Sequence, residues 1–287
     1  MATDRPQTLA DLVGAYLDEQ CTVIIDAEPQ LRVGENVIHV TRVAVRRLRS
    51  TIRVFDELFD VAQAGLLEEE LVWWAGLLGP VRDLDILQAS LTERIAGLPP
   101  ELVLGPVEST IQTEIATQRK IGMDEVVAAM DSERYRELVA LVEAWRSDPP
   151  FTDEAAAPAG KVSRYVKRAG KKLTKRLAAA VAAREAAADD GDELFHRARK
   201  AGKRHRYAAE ATVPLWGSKA EKVVAVRKDL QDVLGHHQDR IVQAAFLREM
   251  GARLGVRSGQ NGFTYGVLYA EVVSAGKSLV AELKPFV

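Results

Sequence analysis

The sequence predicts an all-α protein, on three observations. Apolar residues recur at three- and four-residue spacing, as in Leu9, Leu12, Val13, Tyr16 and Leu17, the interval that aligns one face of a helix. No sustained two-residue alternation marks a strand. Only 11 of the 287 residues are Pro and 20 are Gly, amid abundant Ala, Leu, Glu and Arg, which enter helices at little cost. The length exceeds that of a typical single domain, leaving two modules or one duplicated domain open.

Taken in order, helix breaks are expected near Pro29–Gly34, Ala64–Gly65, Gly97–Pro100, Ser147–Gly160, Asp189–Asp192, Pro214–Ser218 and Gly255–Gly262, where Gly, Pro and small polar residues cluster. About eight helices result. The stretch Ser147–Gly160, with Pro149, Pro150, Pro158, Asp153 and Glu154, reads as a linker near the midpoint. It divides the chain into residues 1–150 and 151–287 as two four-helix halves.

A search for self-similarity supports that division. His39, Arg42, Arg46, Arg47 and Arg49 map onto His196, Arg199, Lys203, Arg204 and Arg206 at one offset of 157, and Leu78, Gly79 and Asp83 map onto Leu234, Gly235 and Asp239 at 156. Two motifs recurring in the same order indicate an internal duplication.

The best apolar run, Leu71–Val81, contains two glycines and a Pro and is closed by Arg82, too short for a membrane span of roughly 18 residues or more. Asp4, Arg5 and Pro6 lead into an amphipathic segment, unlike a secretory signal, so the protein is expected in the cytosol. Cys21 is the single cysteine; with no partner for a disulfide or zinc site it is expected as a buried small hydrophobe.

The net charge of −2 conceals an uneven distribution. Residues 36–55, 161–184 and 195–209 hold 20 of the 39 Lys and Arg and none of the 41 Asp and Glu, leaving 19 basic against 41 acidic residues elsewhere. Composition alone would put roughly eight acids in those segments. Within them His39, Arg42, Arg46, Arg49 and Arg53 form a 3-4-3-4 series, as do Lys161, Arg164, Arg168, Lys171 and Lys175, and His196, Arg199, Lys203 and Arg206. That spacing keeps side chains on one helix face. Val40, Ala44, Leu48, Ile52 and Phe55 oppose the first series, and Val162, Val166, Leu173 and Leu177 the second, so each helix can bury one side and present the other.

Arg47, Lys200 and Arg204 add charge beside these faces. Like charges four residues apart destabilise a helix by a few tenths of a kcal/mol per pair, which calls for a compensating anion. A guanidinium pairs two donors with phosphate oxygens, so an Arg-rich stripe suits a phosphate polymer. Glu68, Glu69, Asp83 or Asp239 from neighbouring helices could instead neutralise the stripes internally. His205, beside Ala201 and Ala209, is expected in the core. Gly170 and Gly202 interrupt two of the helices, and close helix packing would explain both.

The run His39-Val-Thr-Arg42-Val-Ala-Val-Arg46-Arg47-Leu-Arg49, followed by Leu78-Gly79-Pro-Val-Arg82-Asp83-Leu-Asp85, resembles the CHAD family, the conserved-histidine α-helical domains. His196-Arg-Ala-Arg199-Lys-Ala-Gly-Lys203-Arg204-His-Arg206-Tyr207 and Leu230-Gln-Asp-Val-Leu-Gly235-His-His-Gln-Asp239 are similar to that family's second copy of its motifs. The resemblance covers essentially the whole chain. It implies two pseudo-symmetric four-helix bundles around a basic central groove or pore, and binding of inorganic polyphosphate, often at polyphosphate granules. Many relatives carry a triphosphate-tunnel domain ahead of this one; with no Glu-x-Glu-x-Lys strand near the start, that enzyme is expected to be absent here.

Three functional classes follow. The favoured one is a non-catalytic binder of polyphosphate, with other polyanions open, no cofactor or metal, no membrane partner, and homo-oligomerisation left open. Arg82, Asp83 and Asp239 are expected to support the site by orienting neighbouring Arg residues. A metal-dependent phosphohydrolase would need His236, His237 and Asp239 to meet Asp83 and Asp85. A nucleic-acid binder would need aromatics to stack bases, and the stripes offer only Tyr165 and Tyr207. Serine-nucleophile, Walker and dinucleotide motifs do not occur.

Overall fold

The computed structural model describes residues 5–187, 191–255 and 261–287. Of the breaks expected near Asp189–Asp192 and Gly255–Gly262, residues 189–190 and 256–260 lie outside the described residues, as do the first four residues of the chain. Eleven α-helices and no β-strand occur among the described residues, so the chain is all-α. They are α1 (Leu9–Arg32), α2 (Ile38–Val54), α3 (Val61–Gly97), α4 (Val107–Met130), α5 (Glu133–Ser147), α6 (Val162–Glu185), α7 (Gly191–Glu210), α8 (Val213–Trp216), α9 (Ser218–Gly255), α10 (Phe263–Ala275) and α11 (Leu279–Leu283). No helix among them is long and apolar enough to cross a membrane.

Local chemistry places the boundaries. A reciprocal capping box starts α1: the Asp11 amide donates to Thr8 Oγ1 and the Thr8 amide to Asp11 Oδ2. The break expected at Ala64–Gly65 falls earlier, because the Asp60 carboxylate accepts the Gln63 amide at 2.9 Å and starts α3 there. Ser132 likewise caps α5 by accepting the Tyr135 amide at 3.2 Å, a break that no Gly or Pro announces. Pro29 lies within the last turn of α1 and does not end it, since only one upstream carbonyl loses its donor there.

The chain divides into two compact units: Met1–Gly79 with Glu125–Gln231, and Pro80–Asp124 with Asp232–Val287. These cut across the halves 1–150 and 151–287 expected from the sequence, and each unit takes segments from both. In the first unit α2, from the first half, packs against α6 and α7, from the second. Its core joins Leu12, Leu17 and Ile24 of α1 to Leu48 and Ile52 of α2, Val142 and Trp145 of α5, and Leu173 and Leu177 of α6. Cys21 is fully buried there, and burial pushes its thiol up to about 12, consistent with an inert hydrophobe. The second unit has its own core, in which Leu87, Leu91 and Ile95 pack with Ile111, Ile115, Leu247, Met250 and Leu268.

The linker-like stretch is tightly held. Phe151 stacks on Phe59 at 5.3 Å between ring centres, Asp60 donates its amide to Pro150 O, and Thr152 to Leu58 O. Further along, the Leu9 amide donates to Ala157 O and the Ala159 amide to Gln7 O. Pro-rich composition marks a segment that cannot be helix, and here its aromatic and backbone groups find partners, which composition does not reveal.

The two interrupting glycines have a packing reason. A Cβ on Gly202 would lie 2.2 Å from Gln231 Nε2, and one on Gly170 would lie 3.2 Å from His205 Nε2. His205 is buried, 7% exposed, and burial followed by the Arg227 charge lowers its pKa to about 4. The fold therefore holds it neutral, while the unfolded chain protonates it near pH 6.5. A pKa depressed on folding makes stability fall as pH drops from about 6.5 toward 4. The expected loss is about 2 kcal/mol by pH 5. Urea unfolding at pH 7 and pH 5 should show this component in the parent and not in His205→Gln; equal pH dependence in both would refute it.

Candidate functional site

In the first unit the three basic stripes come together on α2, α6 and α7. The apolar faces expected on α2 and α6 are buried, except that Val40 is 48% exposed and Ile38, Thr41 and Val45 take part instead. With those faces turned inward, the basic side chains sort into three groups.

The first group is held by internal partners. Glu210, its side chain 13% exposed, accepts from Arg47 Nε at 3.0 Å, Arg206 Nε at 2.8 Å and the Tyr16 hydroxyl at 3.0 Å. Burial and then Glu210 raise the Tyr16 pKa, keeping its proton in place to donate. Arg46 Nε donates to the Tyr207 hydroxyl at 2.8 Å, and the guanidiniums of Arg46, Arg47 and Arg206 all lie within 5.9 Å of the Tyr207 ring centre, a cation–π arrangement. Arg42 reaches across to α3 and donates to Leu78 O at 3.2 Å. A Cβ at Gly79 would come within 3.1 Å of Arg42 Nη1, which accounts for glycine at that place in the Leu78-Gly79 motif.

The second group faces the turn after α2. Arg164 Nη2 contacts Glu57 at 2.9 Å and Glu154 at 2.7 Å, while Arg168 contacts Glu57 at 2.7 Å and also pairs with Asp56. These partners are 38–60% exposed. Both guanidiniums also lie over the Tyr165 ring, at 4.6 and 5.3 Å.

The third group carries excess positive charge. Arg53, Arg168, Lys172 and Arg204 line a cavity of about 290 Å³ whose apolar wall is Val54, Ala169 and Ala201 and whose one acid is Asp56. Burial, then Arg53 and Arg176, push the Arg204 pKa down, against the pull of Glu68. Burial, then Arg176, Arg204 and Arg168, do the same to Lys172, and burial with Arg53 does so to Arg49. Among the described residues, Glu68 pairs with both Arg49 (3.8 Å) and Arg53. No carboxylate among the described residues lies within ion-pair distance of Lys172, Arg176 or Arg204. Mutual repulsion among partly desolvated cations is relieved by an anion, which this cavity has room to admit.

Arg53, Arg168 and Arg204 are thus the sequence-selected residues that line the cavity, and Arg49 shares Glu68 with Arg53. Lys171 and Lys175 of α6 and Lys200 of α7 are exposed, as is Lys161 in the turn directly before α6, and all are positioned to extend the cationic surface. His39 is exposed at the start of α2 and His196 half-buried near the start of α7; these two, with Arg42, Arg199 and Lys203, all have interaction partners. Arg82, Asp83 and Asp239 belong to the second unit, where Arg82 lies 3.7 Å from Asp85. Asp83 and Asp239 also have partners.

Lys172 and Arg176 were not singled out by the sequence reasoning, although Arg168, Lys172 and Arg176 share the i, i+4 register that marks a helix face. Glu210, Asp56 and Glu57 were missed because the acid-free segments end within two residues of them. Arg206 and Glu210 are themselves four residues apart, a signal available at the outset. Of the internal neutralisers considered, Glu68 takes that role for Arg49 and Arg53.

Tyr165 and Tyr207, the aromatics that base stacking would need, are each 1% exposed and covered by guanidiniums. His236 is exposed while its neighbour His237 is buried. Among the described residues, no three His, Cys, Asp or Glu gather so as to hold a metal.

A family model described as the CHAD domain matches residues 15–248. Two relatives from Mycobacterium tuberculosis are each 30% identical over 270 residues: the uncharacterized protein MT2285 of strain CDC 1551 / Oshkosh and the uncharacterized protein Rv2226 of strain ATCC 25618 / H37Rv. The match takes in 93% of this chain and 50% of each relative, so the chain spans about half their length. Among solved structures, the CHAD domain from the plant Ricinus communis aligns with a TM-score of 0.74 at 27% identity, covering 99% of this chain and 93% of that one. PptA from Streptomyces chartreusis shares the fold with a TM-score of 0.77 at 22% identity, covering 98% and 99%. Polyphosphate binding is the known role of the matched family. With the sequence motifs, the family model and the helical fold in agreement, this chain belongs to the CHAD domain family.

Proposed function

We propose that this chain binds inorganic polyphosphate without catalysis, through the cationic surface of α2, α6 and α7, in the cytoplasm and at polyphosphate granules. The observation that carries the reading is the cationic cavity lined by Arg53, Arg168, Lys172 and Arg204, where burial and neighbouring cations disfavour the charges of Lys172 and Arg204, as they do that of nearby Arg49. The family's known role supplies the identity of that anion. Polyphosphate is flexible, carries a charge on every phosphorus and offers oxygens in pairs for guanidinium forks. A chain seated in the cavity would extend along Lys171 and Lys175 of α6 and Lys200 of α7, each engaged cation releasing a counterion.

Two consequences can be measured. Affinity should rise with chain length until the cationic surface is covered. It should also fall as salt rises, with log Kd against log salt giving a slope near the number of phosphates engaged. Calorimetric titration with polyphosphates of graded length, single-stranded DNA and heparin at near-physiological salt tests both. Equal affinity for all three polyanions per unit charge would reduce the function to unspecific cation exchange. Phosphate release from polyphosphate with magnesium or manganese, abolished by Asp239→Ala, would make the protein an enzyme instead.

A further inference from the structure

Four contacts between acids and the start of the α6 stripe are unlike the other ion pairs of the site. Asp56 and Glu57 sit on the turn directly after α2, and Glu154 on the segment that leads to α6. Two connections register these segments against each other: the Thr152 amide donates to Leu58 O at 2.9 Å, and the Thr152 hydroxyl to Glu57 O at 2.8 Å. The three carboxylates therefore converge on Arg164 and Arg168, and Asp56 also stands at the wall of the cavity. The guanidiniums do not depend on them for position. Arg168 Nη2 also donates to Val54 O at 2.9 Å, Arg164 Nη2 to the Tyr165 hydroxyl at 2.6 Å, and both stack over the Tyr165 ring.

Exposed pairs of this kind hold weakly, because water and salt screen them. By contrast Glu210, 13% exposed and bound to two guanidiniums and a hydroxyl, is fixed. The weak set lies at one end of the cationic surface; the unneutralised Lys172, Arg176 and Arg204 lie further along α6 and α7.

Resting on the polyphosphate reading above, we infer that Asp56, Glu57 and Glu154 are resident counter-charges that a ligand must displace to engage Arg164 and Arg168. They set a charge-density threshold and so discriminate polyphosphate from nucleic acid. Adjacent polyphosphate phosphorus atoms share one bridging oxygen, whereas a sugar separates those of a phosphodiester. The denser polymer delivers more oxygens over the span of Arg164 and Arg168 and outcompetes three carboxylates. The sparser one does not. Polymers too short to reach beyond the cavity forgo Arg164, which lies outside its lining.

The test uses Asp56→Asn/Glu57→Gln in the full chain, with Glu154→Gln as a second variant on a separate segment. All three substitutions are near-isosteric and exposed, and they leave the Thr152 bonds to backbone intact. The readouts are affinity for a medium-length polyphosphate and for single-stranded DNA, each at several salt concentrations. Both variants are expected to bind polyphosphate about 3- to 10-fold more tightly, with a salt slope steeper by about one per arginine released. DNA is expected to gain more than polyphosphate, so that the preference between them narrows. Unchanged or weaker binding in the variants, or an equal gain for both polymers, overturns the threshold while leaving polyphosphate binding by the parent intact. Failure of the parent to bind polyphosphate at all removes both.

Discussion

Reversing two charges together, Lys172→Glu with Arg204→Glu, is expected to lower polyphosphate affinity by about 100-fold or more at near-physiological salt and to raise the melting temperature of the unliganded protein. The first effect follows because each substitution removes a charge-assisted donor facing the cavity and installs a carboxylate that repels the ligand. The second follows from the excess charge. Burial, then Arg53, Arg176 and Arg49, disfavour the Arg204 charge, and burial, then Arg176, Arg204 and Arg168, that of Lys172. Carboxylates at those two places would pair with the same neighbours. Lys172 is exposed and its gain is screened, so most of the increase should come from residue 204, in total about 1 kcal/mol or a few degrees. Calorimetric titration and thermal melts report the two effects separately. Undiminished affinity in a folded variant would put the ligand elsewhere, and a lower melting temperature would make the cluster a structural element.

Glu210→Gln is expected to have the largest effect on stability, about 2–3 kcal/mol of destabilisation in urea unfolding at neutral pH. Its carboxylate is the shared acceptor for Arg47, Arg206 and Tyr16, which tie α2, α7 and α1 together. An amide offers one acceptor oxygen and no charge, so two half-buried guanidiniums around the Tyr207 ring would lose their counter-charge. Residues in one such network do not act independently. Adding Arg206→Gln to Glu210→Gln should therefore cost less than the sum of the separate losses. Strict additivity would mean that Glu210 is not the hub.

The all-α class was legible from periodicity because helix burial imposes a three-to-four-residue rhythm on any sequence that folds this way. Helix ends were less so. Those fixed by Gly and Pro, such as Gly97, stood out, while Asp60 and Ser132 act through one hydrogen bond that any surface Asp or Ser could make. The stripes were equally plain, since charge segregation requires no tertiary knowledge. Their partners were not. A window drawn to contain no acids stops at the acids, and Asp56, Glu57 and Glu210 stand at those edges.

The sequence by itself determined that three helices carry acid-free cationic faces opposite apolar ones, that the arrangement recurs, and that the chain resembles the CHAD family. Only the tertiary structure decided which charges are spent inside the protein. It joined α2 to α6 and α7 across the two sequence halves, gave Arg47 and Arg206 to Glu210, Arg164 and Arg168 to an exposed acidic turn, and left Lys172, Arg176 and Arg204 unneutralised beside a cavity. The reason is range. Helical periodicity is set by neighbours three or four residues away, whereas the energy of a guanidinium depends on burial and on charges within several ångströms that the chain supplies from more than a hundred residues distant.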